Sequence, residues 1–202
     1  MELQLLKAGV HVFVEKPVSL QPPEIFLPYV QTVEELRKEK GLIVSVGYMF
    51  RYHPAVEKMK SVLAEHGRPV VGLSAIYQCA YSTLDRPLWW NMDTSGGPIV
   101  EQATHFCDLV RYLGGEVRPE SLQGLCVPYS GEPASAGYLT AVPGNIREAS
   151  LLPSQRIPRF TTAHWSFEGG GVGSLVHGAV LQGRRYEARL EVWADGLTNY
   201  PG

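Results

Sequence analysis

VHVFVEKP at residues 10–17 and LIVSVGYMFRYHPA at residues 42–55 decide the fold. Each opens with a short apolar run, VHVFV (10–14) and LIVSV (42–46), rich in β-branched residues and too short for a helix. Such runs read as buried strands. Between them, Pro22-Pro23 open a segment in which Phe26, Tyr29, Val30, Val33 and Leu36 follow helical spacing, and Gly41 closes it. Strand, helix and strand make one β-α-β unit, whose crossover is almost always parallel and right-handed. Ahead of it, residues 2–8 read as the last turns of a helix ending at Gly9.

Outward from this unit, a further helix follows Pro54, with Val56, Met59 and Leu63 on one face and a stop at Gly67. After residue 68 the texture changes. Strands are predicted over 69–78, 121–127, 160–167, 171–180 and 185–193, and a helix over about 98–113. The last strand alternates well, Tyr186, Ala188, Leu190 and Val192 against Arg185, Glu187, Arg189 and Glu191. Residues 128–159, rich in Pro, Gly, Ser and Ala, read as a long loop. The predicted fold class is therefore α/β plus α+β. Residues 1–68 are the tail of a Rossmann-type domain, and 69–202 an α+β domain with a large, mostly antiparallel open sheet. One β-α-β unit cannot cover both faces of a parallel sheet, so the first part is expected to be incomplete.

Composition narrows the function. The chain has 202 residues, is 45% hydrophobic and 19% charged, and carries a net charge of −2. That is enough for a real core, and no basic run argues for nucleic acid. No apolar stretch nears the roughly 20 residues that span a bilayer, and the first residues lack the features of a signal peptide. Cys79, Cys107 and Cys126 lack CxxC spacing, which argues against a disulfide framework or a zinc site and for a reducing, cytoplasmic setting.

Ligands of open parallel sheets bind beyond the carboxyl ends of the strands. Glu15-Lys16-Pro17 follows the first strand there, and GYMFRYHPA (47–55) follows the second. A lysine before proline sits on stiff backbone, which suits a positioned cation; an ordinary surface lysine fits as well. In the helix after Gly96-Gly97-Pro98, Ile99, Ala103, Phe106, Val110 and Leu113 form an apolar stripe. Glu101, His105, Asp108 and Tyr112 lie on the other side. Glu101 and His105 are four apart and so are neighbours on one face. A carboxylate beside an imidazole orients the ring for general-base work. On spacing alone, a plain solvated helix face with a chance pair is the better reading. His53 and His66 read as turn and helix-end residues, His164 and His177 as packed or surface groups in strands. No metal-ligand spacing occurs. Trp89-Trp90 suit either a sugar-stacking pocket or packing. The glycine run at 169–173 fits a hairpin, since no helix follows it.

Three motifs in order, HVFVEKP (11–17), GYMFRYHPA (47–55) and GGPIVEQATHFCDLVRYLGG (96–115), closely resemble the glucose-fructose oxidoreductase / inositol dehydrogenase / rhizopine catabolism family. The resemblance covers nearly the whole chain. It implies hydride transfer at a CH–OH carbon of a sugar or polyol with NAD or NADP. It also implies that Lys16 is the active-site lysine, on a Lys16–Pro17 bond that is cis in relatives, and that His105 exchanges the hydroxyl proton. Glu101 stands where the family usually has aspartate, and Ala103 replaces a common glycine. Glu15, Lys16 and Pro17 are the implied cofactor contacts, and Tyr48, Arg51 and Tyr52 the candidates for substrate. The resemblance further implies a homo-oligomer paired through the open sheet face.

The family's glycine-rich turn should precede these motifs, and no set of glycines here has the full GxGxxG spacing. The pyrophosphate site is therefore expected to be missing, the chain to be an N-terminally truncated form whose C-terminus also stops early, and its own activity to be impaired. The alternative from another class is a non-catalytic α+β module for oligomerisation or binding.

Overall fold

The computed structural model describes residues 2–80, 83–127, 150–181, 183 and 185–198. By contact the chain divides into two units, Met1–Tyr48 and Met49–Gly202.

The first unit holds α1 (Glu2–Lys7), β1 (Val12–Val14), α2 (Pro23–Glu39) and β2 (Val44–Val46). β1 and β2 run parallel, with Val12 opposite Val44 and Val14 opposite Val46. Leu6, Val12 and Leu42 form its core, with Val33 and Leu36 of α2 packed against them. The β-α-β reading holds. The carboxyl end of α2 lies where expected, because Gly41 (φ 63°) takes the left-handed conformation that favours glycine.

The second unit opens with a 3₁₀ turn at Met49–Tyr52 and α3 (Pro54–His66). His53 caps α3, its Nδ1 accepting from the Ala55 N–H at 3.2 Å. Gly67 ends it in the left-handed region, its N–H bonded to the Leu63 carbonyl. The composition change put a domain line after residue 68. The contacts divide the chain earlier, because α3 turns Met59 and Leu63 onto the core of the second unit.

After the short α4 (Met92–Ser95) comes α5 (Thr104–Gly114), and that core lies between α5 and one face of a six-stranded sheet. The strands are β3 (Val70–Ala80), β4 (Gln123–Val127), β5 (Phe160–Ser166), β6 (Val172–Leu181), β7 (Tyr186–Ala194) and the two-residue β8 (Leu197–Thr198). Their order is β4-β5-β6-β3-β7-β8. Only β3 and β6 are parallel neighbours; the rest pair antiparallel. This is the mostly antiparallel α+β sheet expected from the sequence. Leu73, Ala75, Leu175 and Val192 point to the helix-covered face, and period-2 alternation sends Gly72, Ser74, Val172 and Trp193 to the other. The glycine run is the β5–β6 hairpin, with the Phe167 N–H bonded to the Gly171 carbonyl at 2.8 Å.

A smaller core of Leu84, Trp90, Ile157, Cys79 and Ala179 sits beside it. Trp90 is buried there, its Nε1–H bonded to the Leu84 carbonyl at 2.7 Å, so its role is packing. All three cysteines are free thiols. Most of the predicted 128–159 loop, residues 128–149, lies outside the described residues.

Candidate active site

The two units carry different parts of the predicted site. In the first, Glu15, Lys16 and Pro17 follow β1 at its carboxyl end, and the Lys16–Pro17 peptide is cis, as the resemblance implies. Gly47 follows β2 at the same end, its N–H bonded to the Val14 carbonyl at 2.9 Å. A Cβ at Gly47 would meet Glu15 Oε2 at 3.2 Å and the Phe13 ring at 3.3 Å. The bare backbone therefore leaves room for the Glu15 carboxylate and the Phe13 ring beside it, and Tyr48 follows directly.

The same unit holds a cavity of about 520 Å³, lined chiefly by Val14, Val18, Phe26, Tyr29, Val33 and Val46. Tyr29 donates its hydroxyl to Glu2 Oε2 at 2.6 Å. Burial and this bond push the phenol up to about 12. The cavity contains no predicted catalytic side chain.

In the second unit the helix expected at 98–113 is two pieces. Ile99–Ala103 is a π-helical turn, and α5 begins at Thr104. Glu101 sits in the wide turn and His105 in the first turn of α5. The supposed solvated side of this helix is in fact buried at two positions: His105 is 7% exposed and Asp108 8%. The cause is the preceding 3₁₀ turn. Phe50 packs its ring 4.7 Å from the His105 ring and meets Phe106 edge-on at 6.1 Å. Next to it, Arg51 grips Asp108 with both arms of its guanidinium, Nε to Oδ2 at 2.7 Å and Nη2 to Oδ1. Arg51 also lies 4.8 Å over the Tyr112 ring, and Lys60 Nζ 3.9 Å from the same ring. Thus Arg51, read as a substrate contact, is engaged by a buried carboxylate, while Tyr52 is 74% exposed.

A group that the sequence did not single out lies against the π turn. Gln102 Oε1 is 3.1 Å from His177 Nε2 on β6 and 3.7 Å from Cys79 Sγ on β3. Because a carboxamide oxygen only accepts, the His177 proton sits on Nε2. Burial pushes His177 down to about 4, so the ring is neutral, and it pushes the Cys79 thiol up to about 11. The sequence makes His177 a packed or surface strand residue, and it is packed. Gln102 carried no signal of its own, because its partners come from strands far along the chain. His164 is exposed and pairs with Gln123 at 3.2 Å. Among the described residues no cluster of His, Cys, Asp and Glu could hold a metal ion, and no helix is long and apolar enough to cross a membrane.

Residues 51–197 match the family model described as "Putative oxidoreductase C terminal domain". An uncharacterized protein of Schizosaccharomyces pombe is 41% identical over 97% of this chain and 46% of its own length. The 1,5-anhydro-D-fructose reductase of Ensifer adhaerens is 26% identical over 86% of this chain and 51% of its length. Among solved structures, levoglucosan dehydrogenase in complex with NADH and levoglucosan superposes with a TM-score of 0.68 at 20% identity, covering 96% of this chain and 48% of that one. The chain spans about half the length of these proteins.

Proposed function

Because the chain belongs to this oxidoreductase family, of the glucose-fructose oxidoreductase / inositol dehydrogenase / rhizopine catabolism type, we propose that it serves nicotinamide-dependent hydride transfer at a CH–OH carbon of a sugar or polyol. The observation that carries the reading is the burial of His105 at the head of α5, directly after the turn that bears Glu101. A general base needs a group held in place within reach of the proton it takes up, and a neighbouring carboxylate can hold an imidazole; this segment carries both residues on one short stretch of backbone.

In the proposed chemistry His105 takes up the proton of the substrate hydroxyl. Lys16 donates a hydrogen bond to that oxygen and stabilises the charge developing on it. Glu101 orients the imidazole. Glu15, Lys16 and Pro17, at the carboxyl end of β1, would hold the nicotinamide end of NAD or NADP. The close approach of Gly47 to Glu15 fits them to that task, since dinucleotides bind beyond the carboxyl ends of parallel strands. The cofactor, when bound, supplies the hydride acceptor or donor. Tyr48, Arg51 and Tyr52 are the proposed substrate contacts, Arg51 with its guanidinium steadied by Asp108. In this reading residues 1–68 are the closing part of a Rossmann-type domain and 69–202 the substrate and oligomerisation domain. The homo-oligomer pairs through the open sheet face.

The test is a titration of the chain with NADH and NADPH, read by nicotinamide fluorescence, followed by turnover on a panel of sugars and polyols. Cofactor binding and turnover that falls by about a hundredfold or more in Lys16→Met support the reading. Turnover retained in Lys16→Met refutes the assignment of Lys16, and no cofactor binding favours the module without catalysis.

A further inference from the structure

We propose that His177 is a positioning residue for the site: its Nε2–H holds the Gln102 carboxamide, and with it the π-helical turn that sets Glu101 relative to His105. This rests on the reading of Glu101 and His105 as orienting carboxylate and proton acceptor.

An α-helix advances about 100° per residue, and a turn closed by i→i+5 bonds advances less. Glu101 lies inside such a turn and His105 just beyond it. Their relative direction therefore depends on the turn staying wide, not on the i,i+4 spacing alone. π turns are rare, occur mostly as single turns within α-helices, and are frequent at functional sites. One that persists needs something outside the helix to hold it.

Gln102 is where the turn is tied to the sheet. Its carboxamide oxygen receives the His177 Nε2–H from β6 at 3.1 Å and lies 3.7 Å from the Cys79 thiol on β3. β3 and β6 are the parallel neighbours at the centre of the sheet. The His177 ring is itself fixed. It stacks on Tyr77, its partner in register, with the planes 9° apart and centroids at 5.9 Å. Tyr77 in turn packs against Phe106 of α5 at 5.5 Å. One ring pair thus touches the π turn through Gln102 and the α-helix through Phe106.

The remaining nitrogen makes the assignment specific. His177 is 2% exposed, and its Nδ1 has no hydrogen-bond partner among the described residues. A buried acceptor without a donor is costly. A residue serving only to fill space would be Phe or Leu at no such cost. The fold keeps an imidazole there, with its donor on Gln102. The proposed chemistry makes no other use of it.

Three variants of the 202-residue protein test this. His177→Phe keeps the stack and removes the donor; Gln102→Met removes the acceptor from the helix side; His177→Gln keeps a donor on β6. Circular dichroism and thermal midpoint report folding. The titration of the His105 ring, followed by NMR with carbon-labelled histidine and assigned through His105→Gln, reports the site. The charged groups on the elements around this ring are Glu101, Asp108 and Arg111 on its own helical segment and Arg51, bound to Asp108, from the 3₁₀ turn. A changed Glu101 direction alters the stabilisation of the imidazolium. His177→Phe and Gln102→Met are expected to fold and to move the His105 midpoint in the same sense by at least about half a pH unit, with His177→Gln closer to wild type. An unchanged midpoint in the folded variants overturns the proposal; should His177→Phe fail to fold, Gln102→Met decides. A midpoint that moves in a protein without nicotinamide-dependent turnover leaves the latch standing and removes the enzyme reading. In an active protein the same displacement is expected in the pH profile of kcat, with KM unchanged.

Discussion

Asp108, three residues past His105, shows how far a single residue could be read. Its side chain is 6% exposed and is held by Arg51, whose own side chain is 38% exposed. Removing one member of a buried pair leaves a charge without compensation, which costs about 3–5 kcal/mol when both groups are fully buried. Half-exposed Arg51 reduces this, so Arg51→Met is expected to destabilise by about 2 kcal/mol. Adding Asp108→Asn should recover more than half of the loss, because it removes the stranded charge. Urea unfolding midpoints of the two variants check this; an Arg51→Met protein as stable as wild type would show that the pair contributes nothing. The sequence placed Arg51 correctly after the second strand, but its partner lies 57 positions away. Nothing local to either residue names the other.

At the scale of elements, hydrophobic periodicity found the longer strands and helices of the described residues to within a few positions, but not the four-residue helix Met92–Ser95 or the two-residue β8. It located β7 by alternation and α3 by its proline and glycine ends. It missed the π turn. The apolar stripe through Ile99, Ala103 and Phe106 is compatible with a continuous helix, and the choice falls to the Gln102 contacts with β3 and β6. Close packing of the sheet against its own side chains was equally hidden. A Cβ on Gly173 of β6 would lie 2.5 Å from the indole of Trp165 on β5, and Trp165 belongs to the main core. Gly173→Ala is therefore expected to cost about 1–3 kcal/mol through overpacking. Gly169→Ala, in the β5–β6 hairpin with open space around its Cβ, serves as the control and should leave the denaturation midpoint within about 0.5 kcal/mol. Equal midpoints for both variants would mean that the indole moves aside without loss.

At the scale of the whole molecule, one sheet face is covered by α5 and the other carries exposed apolar side chains. Val172 is 60% exposed, Leu125 78% and Trp193 41%. Patches of this kind mark interaction surfaces, which supports the proposed pairing of two copies through that face. Val172→Lys is expected to lower the sedimentation-average mass toward that of one chain without changing the circular dichroism. A wild-type protein that is already monomeric at micromolar concentration would exclude the pairing. The sequence by itself determined the β-α-β unit, the strand-rich second part, and the order of the motifs that place Lys16, Glu101 and His105. Those features are local, since burial imposes its period on contiguous residues and glycine and proline mark the ends. Tertiary structure alone decided that His105 and Asp108 are buried, that Arg51 answers to Asp108, and that the helix opens into a π turn tied to His177. Each depends on residues far apart in the chain meeting across a packed core, and no pattern within a single segment encodes such a meeting.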